Sequence, residues 1–234
     1  MGKNINNAGS KLKKILEDKK VESVSLKEAL DLIKDLKFAK FEESVDVSFN
    51  LKKDPKKANQ PFKVAIPAPK GTGKKKTIAV FGSDSEIENI KDSGADYLGN
   101  DQLVEDFKSG KIDCDICLSS VEGMKYAKKL SRILGPKGKM PNVKLGTISQ
   151  DLDSLVKSAI KGIIFTGADA QGNLHAGIGK ISLGTDSLVE NFTALCEKVL
   201  ESLPKGMDSL NSIFVKTTMS PSVEIDKNSL KGIV

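Results

Sequence analysis

His175 is the only histidine in the 234 residues. No Ser or Cys next to it in the chain makes a nucleophile pair, so it reads more simply as a surface or hydrogen-bonding residue than as a general base. Cys114 and Cys117 form the C-x-x-C inside KIDCDICLSS, an apolar run with the character of a strand. A structural zinc site takes four ligands, usually from a second Cys or His pair, and this chain has none to offer, so no metal site is expected. A redox pair would favour a helix N-terminus. The two therefore read as buried strand cysteines, and Cys196, within SLVENFTALCEKVL, as helix core. The carboxylate pairs Asp113/Asp115 and Glu42/Glu43 read as solvated strand or loop residues.

Glycine-rich segments raise the possibility of phosphate chemistry, but their spacing is wrong. A Walker A loop sets Gly, four residues, then Gly-Lys-Ser/Thr, so that backbone amides wrap the phosphates. In AGIGKIS, which contains Gly179-Lys180, Leu174 stands where the first Gly is needed and Ile181 where the hydroxyl is needed. GTGKKK and GPKGK also fail. The dinucleotide fingerprint should follow TIAVF, yet GSDSEIE follows it. No catalytic residue, cofactor or enzymatic activity is expected.

One loop is different. RILGPKGKMPNVKLG (Arg132–Gly146) gathers three Gly, two Pro and the basic residues Arg132, Lys137, Lys139 and Lys144, with no periodic apolar face. It is either a phosphate-attracting functional loop or a flexible surface loop. The whole chain is basic, with 37 Lys plus Arg against 31 acids and a net charge of +6. All but Arg132 of those basic residues are lysine. Lysine is a mobile point charge without arginine's planar fork, so nucleic acid, if bound, would be held by backbone and shape rather than by base reading. Compositional drift towards lysine explains the same count. No apolar run approaches the length of a membrane span, and the opening residues lack the apolar stretch of a signal peptide. A cytosolic protein with a basic surface is expected.

The elements that must position these groups fall into three stretches. The first twenty residues, with six lysines, read as a basic arm or frayed helix. SLKEALDLIKDLK is an amphipathic helix whose start is fixed by a Ser25/Glu28 capping box. SVDVSFNL alternates as a strand with Val45, Val47 and Phe49 on one face; LKKDPKKANQP is a basic loop, and FKVAI a strand ending at Pro67. The pattern then changes to short apolar strands and helices: TIAVF, SEIENIKDSG, ADYLG, DQLVEDFKSG, CDICLS and VEGMKYAKKLSRIL. That alternation predicts a doubly wound α/β unit, with TIAVF as a parallel strand buried on both faces. After the helix LDSLVKSAIKG come a hairpin (IIFTGADAQGNLHAGIGKISL), a long helix capped by Thr185 or Asp186, and two strands around a Ser-Pro turn in NSIFVKTTMSPSVEID. The economical arrangement is a discontinuous α+β domain, residues 1–67 plus 158–234, with an α/β domain, 68–157, inserted in it.

Seven segments, in order, carry a resemblance: KFEESVDVSFNL, DPKKANQ, GTGKKKTIAVF, GADYLG, RILGPKGKMPN with VKLGT, HAGIGKIS and TTMSPSVEID. Together they closely resemble the universal ribosomal protein L1 family over roughly residues 20–226. The resemblance implies a discontinuous α+β domain with an inserted Rossmann-like domain. It implies a cytoplasmic, ribosome-associated protein, monomeric when free, that binds large-subunit rRNA to form the mobile L1 stalk near the tRNA exit site. It also implies contact with deacylated exit-site tRNA and, as in bacterial members, repression of its own operon mRNA.

Carried over by motif, the RNA surface would include Lys40, Phe41 and Ser44 before and at the first strand. From the hairpin would come His175, Lys180 and Ser182, and from the last turn Thr218, Met219 and Ser220. The hydroxyls suit 2′-OH and phosphate contacts, and Phe41 and Met219 could lie against sugars or bases. Arg132, Lys137, Lys139 and Lys144 would form a possible second loop facing RNA or tRNA. The chain departs from the family at Ser220, where Gly is usual, at Leu183, where Phe is common, at KMPNVK, and in the longer connector PAPKGTGK.

Overall fold

The computed structural model describes residues 24–37, 39–52, 63–90, 93–169, 171–203 and 206–230. The expected basic arm and most of the LKKDPKKANQP loop lie outside them. Helices and strands are mixed throughout, and the chain divides into two compact units, one from Met1–Phe62 and Thr166–Val234, the other Lys63–Phe165.

The first unit is built on a central strand, β1 (Ser44–Leu51), whose alternation buries Val45, Val47 and Phe49. It lies antiparallel between β7 (Asn173–Lys180) and β8 (Leu210–Thr217), with β9 (Val223–Glu224) beyond β8. The far end of β6 (Ile163–Ala168) pairs with β7 on the other side. Helices α1 (Leu26–Asp35) and α7 (Thr185–Ser202) bury Leu30, Ile33, Phe192 and Leu195, and Phe192 stacks on Phe49 with ring centroids 6.1 Å apart. Glu28 closes the expected capping box by accepting from the Ser25 N–H at 3.2 Å. The expected cap of α7 is not formed. Gly184 is the residue before the helix, so Thr185 and Asp186 already lie within its first turn; the Thr185 hydroxyl donates to Asp31 Oδ1 at 3.0 Å on α1, which packs alongside.

In the second unit β3 (Ile78–Phe81) runs parallel between β4 (Tyr97–Gly99) and β5 (Ile116–Ser119), and all four β3 residues are buried. Helices α3 (Asp101–Lys108), α4 (Met124–Lys129) and α5 (Ser131–Leu134) belong to the core around Phe81 and Phe107. Helices α2 (Asp84–Ile90) and α6 (Leu152–Lys161) belong to the core around Val80 and Leu118. VEGMKYAKKLSRIL is not one helix. Its backbone turns at Leu130 (φ −100°, ψ 7°), which lets Leu130 and Leu134 both enter the core. Strand β2 (Lys63–Pro67) pairs with β6. Along the chain the division falls at 62/63 and 165/166, and α6 is one continuous helix whose Leu152, Val156 and Ala159 pack in the second unit.

Candidate nucleic-acid interface

Three distant segments of the first unit meet at one corner of its sheet. The register pairs Ser44 with Lys180 and Val45 with Thr217, so the start of β1, the end of β7 and the end of β8 lie side by side. The loop before β1 carries Lys40, Phe41 and Glu42; the turn after β7 carries Ser182; the turn after β8 carries Thr218, Met219 and Ser220.

Glu43 holds this corner together. It is 0% exposed, and its Oε2 accepts from Thr217 Oγ1 at 2.5 Å and from the Met219 N–H at 3.2 Å. Its carbonyl accepts from the Ile181 N–H at 3.0 Å, tying in the end of β7. A solvated Glu43 is therefore overturned. The signal was present in the sequence, because Glu43 lies in phase with Val45, Val47 and Phe49 on the buried face of the alternation.

The Thr218 hydroxyl accepts from the Ser44 N–H at 3.2 Å, and the Thr218 N–H donates to the Ser44 carbonyl at 3.1 Å, extending the ladder past β8. Ser220 closes the turn: its Oγ accepts from the Thr217 N–H at 2.8 Å, and its own N–H donates to Thr217 Oγ1 at 3.2 Å. No described non-glycine residue has positive φ, so the turn needs no glycine at Ser220. Gly179 suits its place for its backbone, whose φ of +155° L side chains rarely adopt, and a Cβ there would also press on the Leu183 and Leu188 side chains. Opposite Val45 and Asp46 the register skips Ile178, and its carbonyl is taken by Asn191 Nδ2 at 2.9 Å.

Around this frame the large apolar side chains of Phe41 and Met219 are 52% and 51% exposed. Lys180 Nζ bonds Glu42 Oε2 at 2.6 Å, and the Ser182 hydroxyl donates to Glu42 Oε1. The Lys180 bond, then the Ser182 bond, hold the Glu42 carboxyl below its ordinary pKa.

His175 is not at this corner. It pairs with Ser48, four residues along β1 from Ser44, which is roughly 13 Å at strand spacing. Its Nδ1 lies 2.9 Å from Ser48 Oγ, a serine–histidine pair that sequence adjacency hid. The pair stands on the exposed face of the sheet, where β1 is paired on both sides.

In the second unit Lys137 and Lys139 both bond Asp113 Oδ1 at 3.2 Å, and those two bonds, that of Lys139 foremost, lower the Asp113 pKa. Arg132 is exposed on α5, and Lys144 belongs to the 3-10 turn Val143–Leu145. Cys114 and Cys117 are buried with sulfurs 3.1 Å apart, but only Cys117 lies in a strand, β5, with Cys114 two residues before it; Cys196 is buried in α7, as expected. The hydrogen bond between the thiols favours the Cys114 thiolate and, with burial, raises the Cys117 pKa. At the C-terminal end of β3, where a parallel sheet would offer a phosphate site, the Glu86 carboxylate accepts from Ser83 N–H at 2.8 Å and Ser83 Oγ at 2.9 Å. Burial there would raise its pKa, but these bonds and one from Ser120 lower it on balance. Among the described residues, no group of three or more His, Cys, Asp or Glu is placed to hold a metal ion, and no helix is long and apolar enough to cross a membrane.

The corner gathers a lysine, hydroxyls and exposed apolar side chains from segments far apart in the sequence. The model of the ribosomal protein L1p/L10e family matches residues 33–221, and the chain belongs to that family. Its relatives there are structural proteins of the ribosome, not enzymes. The chain is 38% identical over 217 residues to the large ribosomal subunit protein uL1 of Lactobacillus acidophilus, covering 91% of this chain and 94% of that one. It is 37% identical over 233 residues to the large ribosomal subunit protein uL1 of Orientia tsutsugamushi (strain Ikeda), covering 99% and 91%.

Proposed function

We propose that this protein is a structural constituent of the large ribosomal subunit that binds the rRNA of the L1 stalk through the corner of its first unit. The observation that carries the reading is the exposed pair Phe41 and Met219, each beside a lysine or hydroxyl donor, on a frame held rigid by buried Glu43. Apolar side chains that cap a sugar or base, flanked by hydroxyls and a lysine, suit folded RNA read by shape. Lys40, Ser44, Lys180, Ser182, Thr218 and Ser220 are contacts of that surface, with the Thr218 and Ser220 hydroxyls also shaping its turn. His175 borders it on the open face of the sheet.

In this reading the first unit is the discontinuous α+β RNA-binding domain and the second an inserted Rossmann-like domain. The protein works in the cytoplasm on the ribosome, is monomeric when free, and assists release of deacylated tRNA from the exit site. Arg132, Lys137, Lys139 and Lys144 form the second RNA- or tRNA-facing loop. The same corner would bind the protein's own operon mRNA and repress its translation.

Gel-shift titration with an in vitro transcribed stalk rRNA fragment, repeated across salt, tests the reading. Tight binding with a shallow salt slope, weakened by Met219→Ala, is expected. Equal affinity for the stalk fragment and an unrelated duplex RNA would refute it. Co-sedimentation with large subunits, set against binding to the protein's own leader transcript, separates the ribosomal role from the regulatory one.

A further inference from the structure

Lys180 and Ser182 are held by one anion that belongs to the protein itself. The two oxygens of the Glu42 carboxylate take one partner each: Oε2 accepts from Lys180 Nζ at 2.6 Å, and Oε1 accepts from the Ser182 hydroxyl. A phosphodiester presents the same feature, two anionic oxygens on one centre, to a lysine and a hydroxyl. Resting on the rRNA-binding reading above, we infer that Lys180 and Ser182 form a subsite for a single phosphodiester, which Glu42 occupies in the free protein and vacates when RNA binds.

The geometry allows the exchange. The Glu42 side chain is 42% exposed and that of Lys180 29%, so an incoming phosphate reaches the pair from solvent. The backbone on both sides stays fixed, because the neighbouring Glu43 is buried and its carbonyl accepts from the Ile181 N–H at 3.0 Å. Only the Glu42 side chain has to turn away. An exposed ion pair is weak in water, so a phosphate supported by further contacts at Phe41 and Met219 can displace it. The carboxylate keeps the lysine and hydroxyl aimed at one point before RNA arrives, while its charge opposes any anion that has no other hold on the corner.

Glu42→Gln keeps the shape and removes the charge, so it tests the exchange directly. With the stalk rRNA fragment as probe, it is expected to bind about five- to tenfold tighter at low salt, and the gain should shrink as salt screens the charge. The salt dependence should steepen by nearly one unit of slope, since Lys180 then meets its phosphate with no internal counter-charge. In a Lys180→Ala background the same change should give much less gain, which separates a local exchange from a general shift in net charge. Unchanged or weaker binding by Glu42→Gln, while Lys180→Ala weakens binding, overturns the exchange and leaves the RNA surface standing. An equal gain with and without Lys180 also overturns it. If Lys180→Ala and Met219→Ala both bind like the unaltered protein, the RNA surface itself is wrong.

Discussion

Glu43 and Thr217, 174 positions apart, share a 2.5 Å hydrogen bond with both side chains fully buried. The bond clamps the start of β1 to the end of β8, and through the Met219 N–H it sets the turn that presents Met219. Thr217→Val removes the hydroxyl, leaving Glu43 Oε2 with the Met219 N–H alone and the Ser220 N–H without its Thr217 acceptor. Loss of a buried bond to a carboxylate should cost roughly 1.5–3 kcal/mol. Urea unfolding should show a lower midpoint at an unchanged slope, because the surface exposed on unfolding is the same.

Met219→Ala should separate binding from folding. Its side chain is half exposed, so stability should stay within about 0.5 kcal/mol while rRNA affinity falls. Thr218→Val should not separate them, since the Thr218 hydroxyl also accepts from the Ser44 N–H and its removal should cost about 1 kcal/mol. Gel shift and thermal unfolding on the same two variants check both statements.

Ser220→Gly restores the residue usual in the family, yet it should destabilise this chain. The Ser220 hydroxyl accepts from the Thr217 N–H at 2.8 Å, and its backbone does not need the left-handed region. Losing that bond and adding glycine's freedom to the unfolded chain should together cost about 1–2 kcal/mol. A melting temperature equal to or above that of the unaltered protein would count against the turn as drawn.

Asp115 gives the second unit an acid-sensitive contact. Its Oδ2 accepts from the Thr77 N–H at 3.0 Å and the Thr77 hydroxyl at 3.1 Å, and chiefly the backbone bond lowers its pKa below the ordinary 3.8, against a smaller opposing effect of burial. The folded value lies below the unfolded one, so the stabilisation is complete above 3.8 and is lost as pH falls through 3.8 and then through the lowered value. Asp115→Asn should lower stability at neutral pH and flatten part of the acid limb, measured by urea unfolding between about pH 6 and about pH 2.

Most of the architecture was legible because periodicity reports which face is buried. Alternation in SVDVSFNL placed Val45, Val47 and Phe49, and the unbroken apolar run at Ile78–Phe81 announced a strand covered on both faces. The break at Leu130 was not legible, since both halves keep the same apolar spacing and only the packing of Leu130 and Leu134 turns the axis. Thr185 shows a different limit: a hydroxyl near a helix start reads as a cap, but the helix begins at Thr185 itself, after Gly184, and a sequence pattern does not fix a helix start to one residue. At the candidate interface the motifs marked Lys180 and Ser182, but not that Glu42, 138 and 140 positions away, holds them both. Side-chain pairing between distant segments leaves no period behind it. Glu43 was within reach, one step further back along a pattern already recognised.

The central place of β1 has a consequence for how the protein is made. Its partners at Lys180 and Thr217 are synthesised long after Ser44, whereas the second unit, Lys63–Phe165, is one continuous stretch. On an elongating ribosome the inserted unit can close while β1 still waits with Val45, Val47 and Phe49 uncovered, a state open to wrong pairing and best kept short. Nascent chains halted before β8 should therefore contain a protease-resistant second unit and no assembled corner. The surface formed by Phe41, Lys180 and Met219 comes into being only once β8 and the turn after it have been made.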